Sequence, residues 1–208
     1  MPDVSRALQL YARAVEYVGS AGLQQEVAWQ RNTDVMSVNE PTFLREAAWV
    51  VLCSGFREAV VRRVFDNISL CFCDWESAHA IVDSYPYCYI SAQAAFRNKS
   101  KLSAIVQIAR IVDRLGFCSL KASLISDPIS TLGRLPYIGP VTVWHLAKNL
   151  GINTQKPDRH LVRISRQFGF SDAEHFCATI AEANDEPIKV IDLVVWRYLA
   201  DNGARAFV

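Results

Sequence analysis

The stretch RLPYIGPVTVWHLAKNLGINTQKPDRHLVRI, from Arg134 to Ile164, decides how this chain is read. It holds two helix-like runs, one tight turn, five basic side chains and a single acid, Asp158. A short helix over 128–132 leads into Leu135-Pro136-Tyr137-Ile138-Gly139-Pro140, and a second helix is predicted from Val141 to Leu150. Gly139 permits a left-handed backbone or a close backbone approach, and Pro140 suits the first turn of a helix. The N–H groups that follow lack intrahelical partners and lie at the positive end of a helix dipole, a natural seat for a phosphate. Taken alone, this is equally the connection of any helical protein. Asp158 comes eighteen residues after Pro140, one helix and a short loop later, so the chain can return a carboxylate towards the turn. Pro157 fixes the approach, and DRHLVRI opens a further helix with Asp158 at its start, where the dipole favours a negative charge. There Asp158 is either an ordinary N-cap or a cap and a working carboxylate at once.

The surroundings of that acid are unusual for a chain whose net charge is only +1. Residues 128–170 carry six Lys/Arg against one acid, residues 171–208 carry three against seven, and the remainder balances. A basic face on a neutral body suits a protein that docks a phosphate backbone with one side; scattered surface charge gives the same tally. Six cysteines (Cys53, Cys71, Cys73, Cys88, Cys118, Cys177) sit mostly in apolar runs without zinc or C-x-x-C spacing, so free thiols in a reducing compartment and no metal site are expected. The start of the chain lacks the pattern of a secretory signal, and no uncharged apolar run approaches about 18 residues. A cytoplasmic protein without a membrane segment is expected.

Outward from the opening stretch the apolar periodicity is helical throughout, and the fold class is all-α. Helices are predicted over 4–22, from Pro41 through 52, over 57–68, after Asp74 as N-cap, over 98–115 up to the stop at Gly116, at 128–132 behind Asp127, around 158–167, around 172–183, and from Pro187 onward. Residues 23–40 show no periodicity and read as an irregular connection.

LPYIGPVTVWHLAKNLG and KPDRHLVRI together resemble the helix–hairpin–helix, the Gly/Pro-rich loop and the aspartate of the HhH-GPD superfamily of DNA glycosylases. FLREAAWVVLCSGFREAVVRRVFDNI resembles the family's early helix pair and FRNKSKLSAIVQIARIV the helix before its hairpin, so the resemblance covers roughly 40–165. It implies two helical lobes: residues 41–150 as a six-helix barrel ending in the hairpin, and residues 1–40 with 151–208 as a second lobe carrying the acid, with DNA and a flipped base between them. It also implies that Asp158 is catalytic. Cleaving an N-glycosidic bond builds positive charge on the sugar, which a fixed carboxylate stabilises while it orients or deprotonates the attacking water. Double-stranded DNA with a damaged or modified base is then the partner of a monomeric enzyme.

Departures from the family pattern refine this. Bifunctional members carry a hairpin lysine that forms a Schiff base and cuts the strand; that position here is Val141, which cannot be a nucleophile. A monofunctional glycosylase that leaves an abasic site is therefore expected. Tyr137 replaces the first hairpin glycine. Only Cys177 lies beyond Asp158, so no iron–sulfur cluster and no other cofactor is expected, apart from the monovalent cation that the family's hairpin can hold on backbone carbonyls. Expected DNA contacts are Arg134, Tyr137, Ile138, Gly139, Val141, Thr142, Lys148 and Arg159. Base pocket or wedge candidates are Trp29, Gln30, Trp49, Phe56, Arg57 and Trp144, the aromatics among them serving equally as core. Two alternatives stay open: a hairpin module that binds DNA without chemistry, and a glycosylase that also cuts through a lysine placed elsewhere.

Overall fold

Polar caps start most of the helices in the computed structural model, which describes residues 1–203. Asp3 caps α1 (Val4–Ser20), and α2 (Gln24–Asn32) follows. Asn39 caps α3 (Glu40–Cys53), with Pro41 in its first turn, and α4 (Glu58–Cys71) comes after a short break. Ser77 caps α5 (Ala78–Asp83), which precedes α6 (Tyr87–Ala95); Asn98 caps α7 (Lys99–Leu115), which precedes α8 (Phe117–Ser126). Asp127 caps α9 (Pro128–Gly133), and α10 (Thr142–Asn149) completes the hairpin. Asp158 caps α11 (Arg159–Gln167), Asp172 caps α12 (Ala173–Asn184), and Pro187 precedes α13 (Ile188–Asn202). Each capping carboxylate, amide or hydroxyl accepts from an N–H that the helix itself leaves unpaired. The described residues contain no strand, so the all-α expectation holds.

Three local expectations change. Residues 24–32 are helical although their apolar periodicity is weak: Gln, Glu, Ala and Arg favour helix, and Val27 anchors the segment in the core. Asp74 does not cap a helix but stands at φ 47° in a left-handed turn with Cys73 and Trp75, and Ser77 takes the cap. Helices α6 and α8 form although their apolar periodicity is weak.

The chain divides into two units, Val35–Leu150 and Met1–Asp34 together with the chain from Gly151 on. The sequence reading put the divisions at 40/41 and 150/151; residues 204–208 of its second lobe lie outside the described residues. Val35–Leu150 holds eight α-helices, where the resemblance implies a barrel of six. Its core joins Phe43, Leu44, Ala48 and Val51 of α3 to Val61, Phe65 and Ile68 of α4 and Leu102, Ile105, Ile108 and Val112 of α7. Phe65, Trp75 and Phe72 stack beneath them.

The other unit has its own core from both ends of the chain: Leu10 and Tyr11 of α1, Leu161 and Ile164 of α11, Phe176 and Ile180 of α12, Val190 and Val194 of α13. The chain enters α11 through the segment 151–158. Gly151 stands at φ +90°, and a Cβ there would lie 2.7 Å from the Asp34 backbone, so only glycine fits this close approach.

Candidate functional site

The hairpin belongs to Val35–Leu150. Leu132, Leu135, Ile138, Val143, Leu146 and Leu150 are buried and clamp α9 to α10. Arg134, Tyr137 and Val141 are exposed at the turn. Ile138 therefore offers no side chain to a ligand, and its N–H donates to Leu135 O at 3.2 Å. The turn's left-handed residue is Tyr137, at φ 68°, and not Gly139. Gly139 is instead tied to α10: its N–H donates to Thr142 Oγ1 at 2.7 Å, and the Thr142 hydroxyl donates back to Gly139 O at 3.2 Å. Thr142 thus shapes the turn from within.

Two charged groups that sequence reasoning passed over fix this unit around the hairpin. Glu46 lies buried in the apolar face of α3 and accepts from Asn149 Nδ2 at 2.9 Å and Arg45 Nη1 at 2.7 Å, joining the end of α10 to α3. Burial raises its pKa, against the opposing pull of Arg45 and the Asn149 hydrogen bond. Lys101, 1% exposed, sits in the first turn of α7. Its Nζ donates to the carbonyls of Val51, Leu52 and Ser54, which close α3. Burial lowers its pKa to about 8, with the neighbouring Cys53 acting the other way, so at neutral pH it remains an ammonium. In the sequence each is only one more charge of an amphipathic helix. Lys148, expected on the DNA, is buried on the inner face of α10 and is not displayed to a phosphate.

Asp158 belongs to the other unit. Its Oδ1 accepts both cap bonds, from His160 N at 2.8 Å and Leu161 N at 3.1 Å, which leaves Oδ2 outside the cap. The approach is tight: Asp158 N–H donates to Lys156 O at 2.7 Å. Helix α13 pins the segment before it. Buried Asp192 accepts from Lys156 N–H at 2.9 Å. One turn earlier, Lys189 N–H donates to Asn153 Oδ1 at 3.3 Å, and its Nζ donates to Thr33 O and Gly151 O.

Among the described residues, two buried side-chain atoms have no hydrogen-bond partner, Gln155 Oε1 and His160 Nδ1, and both flank Asp158. Buried polar groups are nearly always paired, through protein or through ordered water. Burial holds the pKa of His160 below its usual value; Asp158 opposes this, while Arg159, Arg163 and Lys156 reinforce it. Arg159 is exposed, and its Nε lies 3.4 Å from His160 Nε2.

The pocket and wedge candidates separate. Trp29 is exposed on α2 rather than in an irregular connection, and Gln30 is buried there. Arg31 beside them is paired with Glu186 at 2.6 Å. Trp49 meets Phe65 edge-on with ring centres 5.0 Å apart and lies under the Arg62 guanidinium, which makes it a packing residue. Trp144 is half-buried on α10. Phe56 and Arg57 are exposed in the break between α3 and α4.

No family model matches the chain, and no curated protein does. Among solved structures, its fold is similar to that of the 8-oxoguanine DNA glycosylase of Thermotoga maritima, with 17% sequence identity and a TM-score of 0.66 over 93% of this chain and 95% of that one. The architecture is thus an all-helical DNA glycosylase fold, and at this identity the likeness is one of fold. No helix among the described residues is long and apolar enough to cross a membrane.

Proposed function

We propose that the protein is a monofunctional DNA glycosylase of the HhH-GPD type, which hydrolyses the N-glycosidic bond of a flipped damaged or modified base in duplex DNA. The observation that carries this is Asp158: a carboxylate at a helix start whose Oδ1 accepts two backbone N–H groups and whose Oδ2 stands outside the cap. In the reaction the C1′–N bond breaks and the base leaves with the bonding electrons. Asp158 stabilises the cationic sugar and takes a proton from the water whose oxygen bonds to C1′. The exposed hairpin residues Arg134, Tyr137 and Val141, with Arg159, are the proposed DNA contacts.

Hydrolysis without strand cleavage is the reading that the hairpin unit's lysines support. Val141 replaces the Schiff-base lysine of the hairpin, Lys148 is buried, and Lys101 has its three N–H donors directed at three carbonyls. The reading includes a cytoplasmic monomer that needs no cofactor or iron–sulfur cluster, with a monovalent cation on the hairpin carbonyls. The similar structure is an 8-oxoguanine enzyme, so duplexes with oxidised purines come first in a substrate panel, followed by alkylated, mismatched and enzymatically modified bases.

The test measures base release by wild type and Asp158→Asn, with and without alkali. Asparagine keeps an oxygen for the cap bonds but removes the charge. Release by wild type alone, with strand scission only after alkali, is expected. Scission without alkali would assign a lysine to the chemistry. Equal DNA binding by both proteins with no release across the whole panel would leave a binding module.

A further inference from the structure

The break after α3 and the hairpin turn meet over one buried charge. Lysine is a poor choice for the first turn of a helix, where the dipole is positive. Lys99, in the same turn, is exposed, whereas Lys101 runs inward to the carbonyl end of α3. Its three donors face the carbonyls of Val51, Leu52 (2.8 Å) and Ser54, which α3 leaves without partners of its own. The same ammonium lies 5.0 Å from the centre of the Phe56 ring and 5.2 Å from that of Tyr137. Both distances are within cation–π range. Phe56 also rests on Phe96 at 5.2 Å, yet it remains 42% exposed, and Tyr137 remains 45% exposed. Tyr137 further holds a left-handed backbone, which a side chain other than glycine rarely adopts, so something must hold it there.

We infer that Lys101 is the positioning residue that joins the Ser54–Arg57 break to the hairpin turn and presents Phe56 and Tyr137 as one aromatic pair to the bases of bent or opened duplex DNA. The inference rests on the reading of this unit as a DNA-gripping one. The physical logic is division of labour. Two exposed rings on separate loops would each lose freedom on binding, whereas rings pre-set on a common cation do not. The rings offer sequence-tolerant stacking faces, and the cation stays out of the phosphate field because its donors are already engaged.

Duplex binding would be measured for wild type, Lys101→Met, Phe56→Ala, Tyr137→Ala and the pairwise combinations, together with the fluorescence of a 2-aminopurine placed in the duplex. Methionine keeps the length of the side chain and removes the charge. Each aromatic truncation is expected to weaken binding roughly 5- to 100-fold, the range of one base–aromatic stack. Lys101→Met is expected to weaken it at least as much, to abolish the 2-aminopurine rise that reports unstacking, and to make a subsequent aromatic truncation nearly silent. Native-like circular dichroism with wild-type affinity and fluorescence in Lys101→Met would overturn the inference. So would additive losses in the double variants. If Lys101→Met does not fold, the surface truncations decide: wild-type binding by both Phe56→Ala and Tyr137→Ala overturns it. A wild-type protein that binds no duplex would instead overturn the reading on which it rests.

Discussion

Replacing Asp192 with alanine tests whether α13 holds the segment that delivers Asp158. The Asp192 carboxylate is buried and accepts from Lys156 N–H at 2.9 Å, two residues before Asp158. A hydrogen bond to a charged acceptor contributes about 1.5–3 kcal/mol, and alanine leaves the amide without this acceptor. A loss of about 2 kcal/mol corresponds to a fall in Tm of roughly 4–8 °C for a chain of this size. Asp192→Asn, which keeps an oxygen at the same place, should fall between wild type and alanine. If the segment then relaxes and the carboxylate moves by about 1 Å, the chemical step slows on the order of 100-fold. Urea unfolding measures the first quantity, and single-turnover base release at saturating enzyme measures the second without interference from DNA affinity. Stability of Asp192→Ala within about 0.5 kcal/mol of wild type would refute the anchor. A destabilised variant with an unchanged single-turnover rate would refute its link to the chemistry.

Gly151→Ala should cost more than about 2 kcal/mol in urea unfolding, because its Cβ would meet the Asp34 backbone at 2.7 Å in a left-handed conformation. Gly139→Ala should cost less than about 1 kcal/mol, since among the described residues its Cβ would meet Thr142 Oγ1 at an ordinary 3.9 Å. His160 has a folded pKa below the 6.5 of the free side chain, so as pH falls through 6.5 the unfolded chain takes up the proton first and stability drops until the folded pKa is passed. A Tm profile from pH 7 to pH 5 should show that drop, and His160→Gln should flatten it. Arg134→Ala should lower the salt slope of DNA binding by about one unit, while the buried Lys148, replaced by methionine, should leave the slope unchanged.

Periodicity and caps made the helices legible wherever the chain alternates sharply, as in α1 and α7. It failed where a helix is carried by propensity alone, as in α2, or is short, as in α6. The hairpin and Asp158 were legible because a turn, a proline and an acid must come in order along the chain. Gly139 misled because glycine shows what a backbone is able to do and not what it does; the left-handed residue is Tyr137. Lys148 misled because a lysine in a basic stretch reads as surface, yet its place on α10 faces inward. Glu46, Lys101 and Asp192 were illegible for a common reason. Each is a charge inside an apolar helix face with a partner far away in the chain: Asn149 for Glu46, beside its neighbour Arg45, the carbonyls of Val51, Leu52 and Ser54 for Lys101, and the Lys156 amide for Asp192.

Asp158, the lone acid in the most basic part of the chain, is held by local partners instead. The Asp158 carboxylate accepts from the backbone N–H groups of His160 and Leu161, at 2.8 and 3.1 Å. On the proposed function, an arginine locked onto that carboxylate would neutralise the charge that stabilises a developing sugar cation. Backbone dipoles hold the acid through Oδ1 and leave Oδ2 outside the cap. Arg159, Arg163 and Arg166 lie on the exposed face of α11, where they can meet phosphates without quenching the acid. If this division is correct, Arg163→Ala and Arg166→Ala change DNA affinity and its salt dependence but leave the single-turnover rate of base release unchanged. A fall in that rate at saturating enzyme would show that these cations act on the chemistry itself.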